Sequence, residues 1–317
     1  MMRPDGLLSF PLTPFTPDDR LDLPSYREHL DRQLAGGPGA LFVACGTGEF
    51  SALSLGEYRS VVLAAVDAAG GRVPIFAGAG GGPAVAREFA VAAAECGADG
   101  LLLLPPYLVL APPAGYLRYV ASVAAATDLP IVTYQRANAR LNPATAVALL
   151  DLPTVVGVKD GVGDVDAFLR LIVAVRHSGH ARAEEMWFVN GLPTAELSAQ
   201  AYRAIGVPDY SSAVYCFLPE VARAFHAAVN DNDAVTVDRL LAAFYAPFAA
   251  LRDEVPGYAV ALIKAGSRLT GLDLGGVRPP LLDPTDAHVA ELGKLIEQVR
   301  AALVNPRAAL VNRGTGP

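Results

Sequence analysis

The stretch TVVGVKDGVGDVDAFLRLIVAVRH, residues 154–177, joins an apolar run to a helical run through a short glycine-containing turn. The run that ends at Lys159 is rich in valine, as buried strands are, and the apolar residues between Asp164 and His177 recur at helical spacing. Strand and helix alternate in this way up to about residue 230. Such alternation predicts a parallel sheet, and eight units favour closure into a (β/α)8 TIM barrel, with an open doubly wound sheet as the structural alternative.

The predicted strands are short apolar runs bounded by turn-forming residues. They are Leu7–Leu12, Ala40–Ala44, Pro74–Ala77, Gly100–Leu104, Pro130–Tyr134, Val155–Lys159, Met186–Asn190 and Val207–Ser212. Helical runs lie between them, such as Pro24–Ala35, Leu55–Ala69, Ala84–Cys96, Ala114–Thr127, Asp164–His177 and Thr194–Ala204. Beyond the eighth unit the pattern is wholly helical, over Asp233–Arg252, Gly257–Leu269 and Pro284–Leu303. We therefore expect a barrel domain at residues 1–230 and a C-terminal helical region at residues 231–317.

Composition and charge exclude several classes of protein. With 52% hydrophobic and 18% charged residues, a chain of 317 residues can bury a large core and is not disordered. A net charge of −7 without any Lys/Arg run disfavours nucleic acid or an anionic membrane as a partner. Prolines interrupt both the apolar N-terminus and the uncharged stretch at residues 100–117, so we expect neither a signal peptide nor a membrane span.

Cysteine, histidine and glycine usage points away from disulfide, metal and nucleotide chemistry. Cys45, Cys96 and Cys216 are far apart and outside CxxC spacing, which indicates neither a disulfide framework nor a zinc site. The five histidines show no ligand pattern, so no metal is predicted. The glycine cluster Gly78–Gly82 lacks the known phosphate-binding motifs and is interpreted as an ordinary loop. Reduced thiols favour a cytoplasmic location.

Lysine is the most informative residue type, because only three of the 25 basic residues are lysines. Lys264 and Lys294 fall in C-terminal helical runs, where a surface or packing role is the default. Lys159 instead ends a predicted strand, and the carboxyl ends of barrel strands face the active site. Desolvation there lowers the pKa of an isolated lysine, and the neutral amine can attack a carbonyl to form an iminium. The structural alternative is a lysine that reaches water or pairs with Asp160.

Two further groups are placed at the same rim by the predicted strand order. Tyr134 ends the fifth strand, next to Lys159, where a phenol can relay protons to and from a carbinolamine. The turn after the second strand, with Gly46 and Thr47, offers backbone amides and a hydroxyl suited to a carboxylate. The alternatives are a packing tyrosine with a satisfied hydroxyl and an ordinary βα turn.

Other polar residues also fall where strands finish. Asn190 and Gly191 follow the seventh strand, Ser211 and Ser212 lie in the eighth, and Arg136 comes two residues after Tyr134. Hydroxyl and amide groups in an apolar barrel need hydrogen-bond partners, which a polar substrate can supply, and an arginine can fork onto a second carboxylate. Contacts within the fold, water, or a solvated loop arginine explain the same residues equally well.

Several sequence blocks together resemble a known family. They are PLTPF (Pro11–Phe15), GTGE (Gly46–Glu49), LPPY (Leu104–Tyr107), the strand-end Tyr134 and GVKD (Gly157–Asp160). With them the chain resembles the dihydrodipicolinate synthase and N-acetylneuraminate lyase superfamily of class I aldolase barrels, over about residues 5–300. The resemblance implies that Lys159 forms a Schiff base, that Tyr134 relays protons, and that the Gly46-Thr47 turn holds the carboxylate of a 2-oxo acid.

Within the superfamily, four blocks are most similar to the dehydratase subgroup acting on 5-dehydro-4-deoxyglucarate: YQRAN, GVKDGVGD, NGLPTAE and YSSAVYCFLPE. This implies a cytoplasmic lyase that releases water and CO2 from a six-carbon sugar diacid to give 2,5-dioxopentanoate, without metal or organic cofactor. Ser211, Ser212, Asn190, Gly191 and Arg136 are expected to hold the hydroxylated end of the substrate. A homotetramer built from dimers is also implied.

Two other functions remain open at this point. One is a retro-aldolase or synthase of the same superfamily, acting on a 2-keto-3-deoxy sugar acid or condensing pyruvate with an aldehyde. The other is a non-catalytic sugar-acid sensor that keeps the pocket without turnover.

Overall fold

Eight parallel strands form the centre of the computed structural model, which describes residues 4–304. They are β1 (Leu8–Ser9), β2 (Ala40–Val43), β3 (Ile75–Ala79), β4 (Gly100–Leu103), β5 (Ile131–Gln135), β6 (Val155–Asp160), β7 (Trp187–Asn190) and β8 (Ser211–Ser212). Strands β1 to β7 pair in chain order, and β1 also pairs with β8. A parallel bridge between Asn190 and Tyr210 joins β7 to the start of β8, so the barrel closes and the open-sheet alternative is wrong.

All eight strands lie within or beside the predicted runs, and the barrel prediction is confirmed. The first and last strands are shorter than predicted, with two residues each. Pro11 and Pro208 fall in the lost portions, and proline has no amide hydrogen to donate to a neighbouring strand.

Helices surround the barrel and continue beyond it. They are α1 (Leu23–Ala35), α2 (Leu55–Ala69), α3 (Pro83–Glu95), α4 (Pro113–Ala124), α5 (Pro143–Ala148), α6 (Val165–Arg176), α7 (Ala199–Ala204), α8 (Pro219–Asn230), α9 (Ala234–Leu240), α10 (Ala246–Asp253), α11 (Tyr258–Leu269) and α12 (Asp286–Val304). Two of them, α5 and α8, are not among the predicted runs. Helix α5 nevertheless has a start signal in the sequence, because Asn142 caps it and Pro143 occupies its first turn.

The predicted helix at residues 233–252 is interrupted. A π-helical segment, Leu241–Tyr245, separates α9 from α10, and Pro247 follows two residues later. Proline cannot donate the amide hydrogen bond that a regular helix requires, which accounts for the irregular turn. The whole stretch Ala234–Asp253 is long and apolar enough to cross a membrane by composition. Phe244, Phe248 and Leu251 of this stretch are buried in the core. A buried core helix of a globular protein can meet the same criterion of length and hydropathy.

The barrel interior contains an aromatic stack that supports the site above it. Phe42 stacks between Phe10 and Phe76 with centroid distances of 4.7 Å, and Trp187 packs beside them. A separate apolar cluster joins the C-terminal helices to the barrel, through residues such as Leu7 and Tyr210. This cluster contains residues from both sides of position 230, so the two predicted regions share a core. A domain boundary at position 230 stays a prediction. Residues 305–317 of the predicted helical region lie outside the described residues.

The three cysteines are buried and unpaired. Within residues 4–304, no three His, Cys, Asp or Glu side chains are grouped as a metal site.

Candidate active site

A cavity of about 310 Å³ opens at the carboxyl end of the barrel strands. It contains seven of the nine residues predicted for the site: Gly46, Thr47, Tyr134, Arg136, Lys159, Gly191 and Ser211. Phe10 of the aromatic stack also lines it, and α10 and α11 add a mostly apolar wall. No aspartate or glutamate of the described chain is among the lining residues, so the cavity presents cations without a lining carboxylate.

Lys159 lies on β6 with only 5% of its surface exposed. Its Nζ sits 4.2 Å from the ring centre of Phe10 and 4.5 Å from that of Tyr134. No carboxylate in residues 4–304 lies within ion-pairing distance of this nitrogen. Desolvation lowers the pKa of Lys159 from its ordinary value of 10.5 to about 7, and the Arg136 guanidinium acts in the same direction. Cys45 does not offset this at neutral pH, because burial raises the pKa of its thiol to about 12.

Asp160 is committed to the fold and does not pair with Lys159. Its carboxylate accepts hydrogen bonds from the Gln135 amide, the Tyr202 hydroxyl and the backbone amides of Val162 and Gly163. These contacts fix the turn that follows β6 and leave the lysine amine without a counter-charge. The alternative in which Asp160 neutralises Lys159 is therefore wrong.

Tyr134 lies directly beside Lys159, because the two residues are register partners on β5 and β6. Its hydroxyl donates to the Gly191 carbonyl oxygen at 2.8 Å and accepts from Arg136 Nη1 at 3.0 Å. Burial raises the pKa of Tyr134, while the Arg136 cation opposes the rise. The phenol therefore remains protonated at neutral pH and has a cation beside its oxygen, as a proton relay requires.

Two glycines make room for this pair. A Cβ at Gly191 would lie 2.6 Å from Lys159 Cε, and a Cβ at Gly161 would lie 2.6 Å from the Tyr134 hydroxyl oxygen. Both separations are far below van der Waals contact. Glycine at these positions lets the lysine and the phenol reach the cavity.

The turn after β2 presents its backbone to the cavity at Gly46 and Thr47. Its conformation is strained, because Ala44 and Glu49 both have positive φ angles, at 47° and 55°. Gly78 on β3 allows the turn to pass closely, since a Cβ there would lie 2.1 Å from the Ala44 carbonyl oxygen.

A buried ion pair holds this strained turn. Glu49 Oε1 lies 2.7 Å from Lys264 Nζ on α11, and the two side chains are 2% and 1% exposed. Glu49 Oε2 accepts from the Arg278 backbone amide at 2.9 Å, and the Arg278 guanidinium binds Glu57 at the start of α2. The default surface or packing role for Lys264 is thus too simple, because the C-terminal region clamps the turn that carries Gly46 and Thr47.

Two predicted site residues do not face the cavity. The Ser212 hydroxyl is buried and donates to Glu196 Oε1 at 2.6 Å, and burial raises the pKa of Glu196 to about 7. The Asn190 amide donates to the Ala195 carbonyl oxygen and to the Ser198 hydroxyl. Both side chains thus hydrogen-bond within the protein, and their contact with substrate stays a prediction. Ser211, which precedes Ser212 on β8, lines the cavity, because alternate residues of a strand point to opposite sides.

The cavity is also lined by side chains that the sequence does not single out. Thr194 and Arg252 line the wall made by the loop after β7 and by α10, and Phe10 lies under Lys159. Neither α10 nor α11 follows a barrel strand, so no strand-end signal marks these residues. Thr194 does belong to the quoted block NGLPTAE, which was the one available indication.

Fold and site together define a (β/α)8 barrel whose cavity holds a desolvated lysine beside a protonated phenol. The chain belongs to the dihydrodipicolinate synthetase family, whose model matches residues 3–299. A relative in Streptomyces coelicolor, named probable 5-dehydro-4-deoxyglucarate dehydratase 1, is 52% identical over 295 residues, or 93% of each chain. A relative in Rhizobium rhizogenes, named probable 5-dehydro-4-deoxyglucarate dehydratase, is 44% identical over 94% of this chain and 96% of its own.

Solved structures of similar fold carry names from the same family. The dihydrodipicolinate synthase of Bacillus clausii superposes with a TM-score of 0.84 and 25% identity, covering 94% of this chain and 98% of its own. YagE, a prophage protein of the dihydrodipicolinic acid synthase family from E. coli K12 in complex with pyruvate, has a TM-score of 0.82 and 25% identity, covering 93% and 99%.

Proposed function

We propose that the protein is a Schiff-base-forming 5-dehydro-4-deoxyglucarate dehydratase, a lyase that converts this diacid to 2,5-dioxopentanoate, CO2 and water. The single observation that carries the chemistry is Lys159, an amine with a pKa of about 7 and no counter-ion among the described residues, beside the Tyr134 hydroxyl. The substrate is taken from the names of relatives that are 44–52% identical over more than nine-tenths of the chain.

The first step is attack of the neutral Lys159 amine on the C5 ketone. The carbinolamine that forms must lose water, and Tyr134 is placed to donate and recover the protons involved. The C6 carboxylate, next to the ketone, binds the backbone amides and hydroxyl of the Gly46-Thr47 turn. Dehydration yields an iminium between Lys159 and C5.

The iminium then accepts electrons twice. Loss of a C4 proton and of the C3 hydroxide gives a conjugated iminium and releases water. Cleavage of the C1–C2 bond releases CO2 and sends its electron pair through C2, C3 and C4 to the iminium nitrogen. Tautomerisation of the C2 enol and hydrolysis of the imine then give the semialdehyde and free Lys159. Neither a metal nor an organic cofactor is needed for these steps.

The hydroxylated end of the substrate lies toward Ser211, Gly191 and Arg136 in this proposal. All three line the cavity, and Arg136 is already a hydrogen-bond donor to Tyr134. Asn190 and Ser212 support the site from within, by fixing the loop after β7 and the buried Glu196.

A coupled assay for the semialdehyde and for CO2 tests this function. Wild-type protein with 5-dehydro-4-deoxyglucarate is expected to release both products, and Lys159→Ala is expected to release neither. Lys294→Ala is the matched control, because Lys294 is exposed on α12. Release of pyruvate would assign the retro-aldolase alternative, tight binding without product would assign a sensor, and an active Lys159→Ala variant would refute the mechanism.

We also propose a cytoplasmic homotetramer built from dimers. Four consecutive apolar residues, Tyr107–Leu110 in the loop after β4, are 53–86% exposed, and exposed apolar patches mark interaction surfaces. Light scattering of the purified protein tests the assembly; a monomer at micromolar concentration would contradict it.

A further inference from the structure

One corner of the cavity combines a strained backbone with a cation. Thr194 follows β7 and adopts φ 50° and ψ 60°, which is rare for a β-branched residue and costs conformational energy. Its side chain is buried, and its hydroxyl accepts a hydrogen bond from Arg252 Nη1 on α10. Strained backbone of this kind persists only where surrounding contacts hold the residue in place, and it is concentrated at binding and active sites. Here it holds Thr194 against Arg252, and both residues line the cavity.

A diacid substrate needs a binding group for its second carboxylate, and this corner of the cavity offers one. The proposed substrate carries two carboxylates, and the one next to its ketone binds the Gly46-Thr47 turn. Arg136 stands beside the phenol of Tyr134, at the reacting end. Arg252 is the remaining cation on the cavity surface of the described chain, and it is carried by α10.

Arg252 already binds a neighbouring carboxylate. Its Nε and Nη2 donate to the two carboxylate oxygens of Asp253 at 2.8 and 2.9 Å. Asp253 is 66% exposed, whereas the Arg252 side chain is only 14% exposed, so water competes for the aspartate far more than for the arginine. With Thr194 bound to Nη1, one N–H on Nη1 and one on Nη2 remain for a further acceptor.

We propose that Arg252, positioned by Thr194, binds the distal carboxylate of the substrate and makes the site selective for dicarboxylic 2-oxo acids. This assignment rests on the proposed function, which supplies the diacid. It also fits the reaction, because the carboxylate that Arg252 holds is the one that leaves as neutral CO2. Asp253 partly neutralises Arg252 and so weakens its attraction for the substrate carboxylate. The ground state is then not over-stabilised before decarboxylation.

Borohydride trapping of Lys159 tests the assignment without requiring turnover. The probes are pyruvate, which has no second carboxylate, and 2-oxoadipate, which is the substrate skeleton without its two hydroxyls. Intact-mass spectrometry gives the concentration of each acid that labels half of the protein. Wild type is expected to be half-labelled at a lower concentration of 2-oxoadipate than of pyruvate.

Arg252→Ala is expected to raise the half-labelling concentration of 2-oxoadipate by roughly 10- to 100-fold, the range for one charged hydrogen-bonding partner. Pyruvate labelling is expected to stay within about twofold, which also shows that the variant is folded. Arg252→Gln keeps a polar side chain but removes the charge, and it is expected to show the same loss. Arg140→Ala removes an exposed arginine of the loop after β5 and is expected to leave the half-labelling concentrations of both acids unchanged.

The outcomes separate this assignment from the proposed function. Labelling of wild type by neither acid would overturn both. Labelling by both acids, with the preference for the diacid unchanged in Arg252→Ala and Arg252→Gln, would overturn the role of Arg252 alone. Loss of the preference in Arg140→Ala would transfer the subsite to that loop and would overturn the assignment as well.

Discussion

Replacing Lys264 by methionine tests the structural clamp on the carboxylate-binding turn. Methionine keeps most of the volume of the side chain but removes the charge that faces Glu49 at 2.7 Å. Glu49 then becomes a buried carboxylate whose other described hydrogen bond is to the Arg278 amide. Burial already lowers the pKa of Lys264, and the Glu49 carboxylate opposes that shift, so Lys264 depends on Glu49 to remain charged.

The expected cost follows from the burial of both partners. Removing one member of a fully buried ion pair costs about 3–5 kcal/mol of unfolding free energy. A chain of 317 residues has an unfolding entropy of about 0.7 kcal/mol/K near its melting temperature, so Tm is expected to fall by roughly 4–7 °C. Because Glu49 belongs to the turn with Gly46 and Thr47, we also expect KM for the diacid to rise more than kcat falls.

Thermal unfolding followed by circular dichroism, together with steady-state kinetics, measures both effects. Lys294→Met is the matched control; it removes an exposed lysine and is expected to shift Tm by less than about 1 °C. The double variant Glu49→Gln with Lys264→Met removes both charges of this pair and is expected to recover part of the loss. If Lys264→Met melted within 1 °C of Lys294→Met, the clamp would carry no stability and the reasoning would fail.

Three further changes act on the reacting pair. The kcat/KM for the diacid is expected to fall about tenfold per pH unit below pH 7, because protonation of Lys159 removes its nucleophilic lone pair; a flat pH profile between 5 and 7 would contradict this. Tyr134→Phe is expected to lower kcat by roughly 10²- to 10⁴-fold, measured by CO2 release, and unchanged turnover would exclude a proton relay. Gly191→Ala places a methyl group against Lys159, so borohydride labelling is expected to be lost while the circular dichroism spectrum stays the same; normal labelling would show that the lysine has room to move.

The fold was predictable from sequence because each strand is an apolar run closed by turn formers, and because strand and helix alternate. Lys159 was predictable for a related reason. Once β6 is placed, a residue near its carboxyl end lies at the rim where barrel active sites form, and lysine is otherwise nearly absent from the chain. Tyr134 follows from the same geometry, since neighbouring parallel strands end at the same rim.

Residues whose role depends on packing were not predictable in this way. Arg252 and Lys264 lie on helices after the barrel, and only the three-dimensional path of α10 and α11 brings them to the cavity and to Glu49. Asn190 and Ser212 show why a polar residue at a strand end is an ambiguous signal. From the sequence alone, a polar residue at a strand end can hydrogen-bond to substrate or to the protein. In the structure, Asn190 donates to Ala195 and Ser198, and Ser212 donates to Glu196.

The central claim is that Lys159 forms a Schiff base with a 2-oxo acid, and peptide mapping after borohydride reduction tests it most directly. Wild-type protein reduced in the presence of pyruvate is expected to gain the mass of the acid less one oxygen atom, on the peptide that contains Lys159 and on no peptide containing Lys264 or Lys294. Lys159→Ala is expected to gain nothing. A label on another lysine, or an unlabelled Lys159 in protein that releases CO2 from the diacid, would contradict the account.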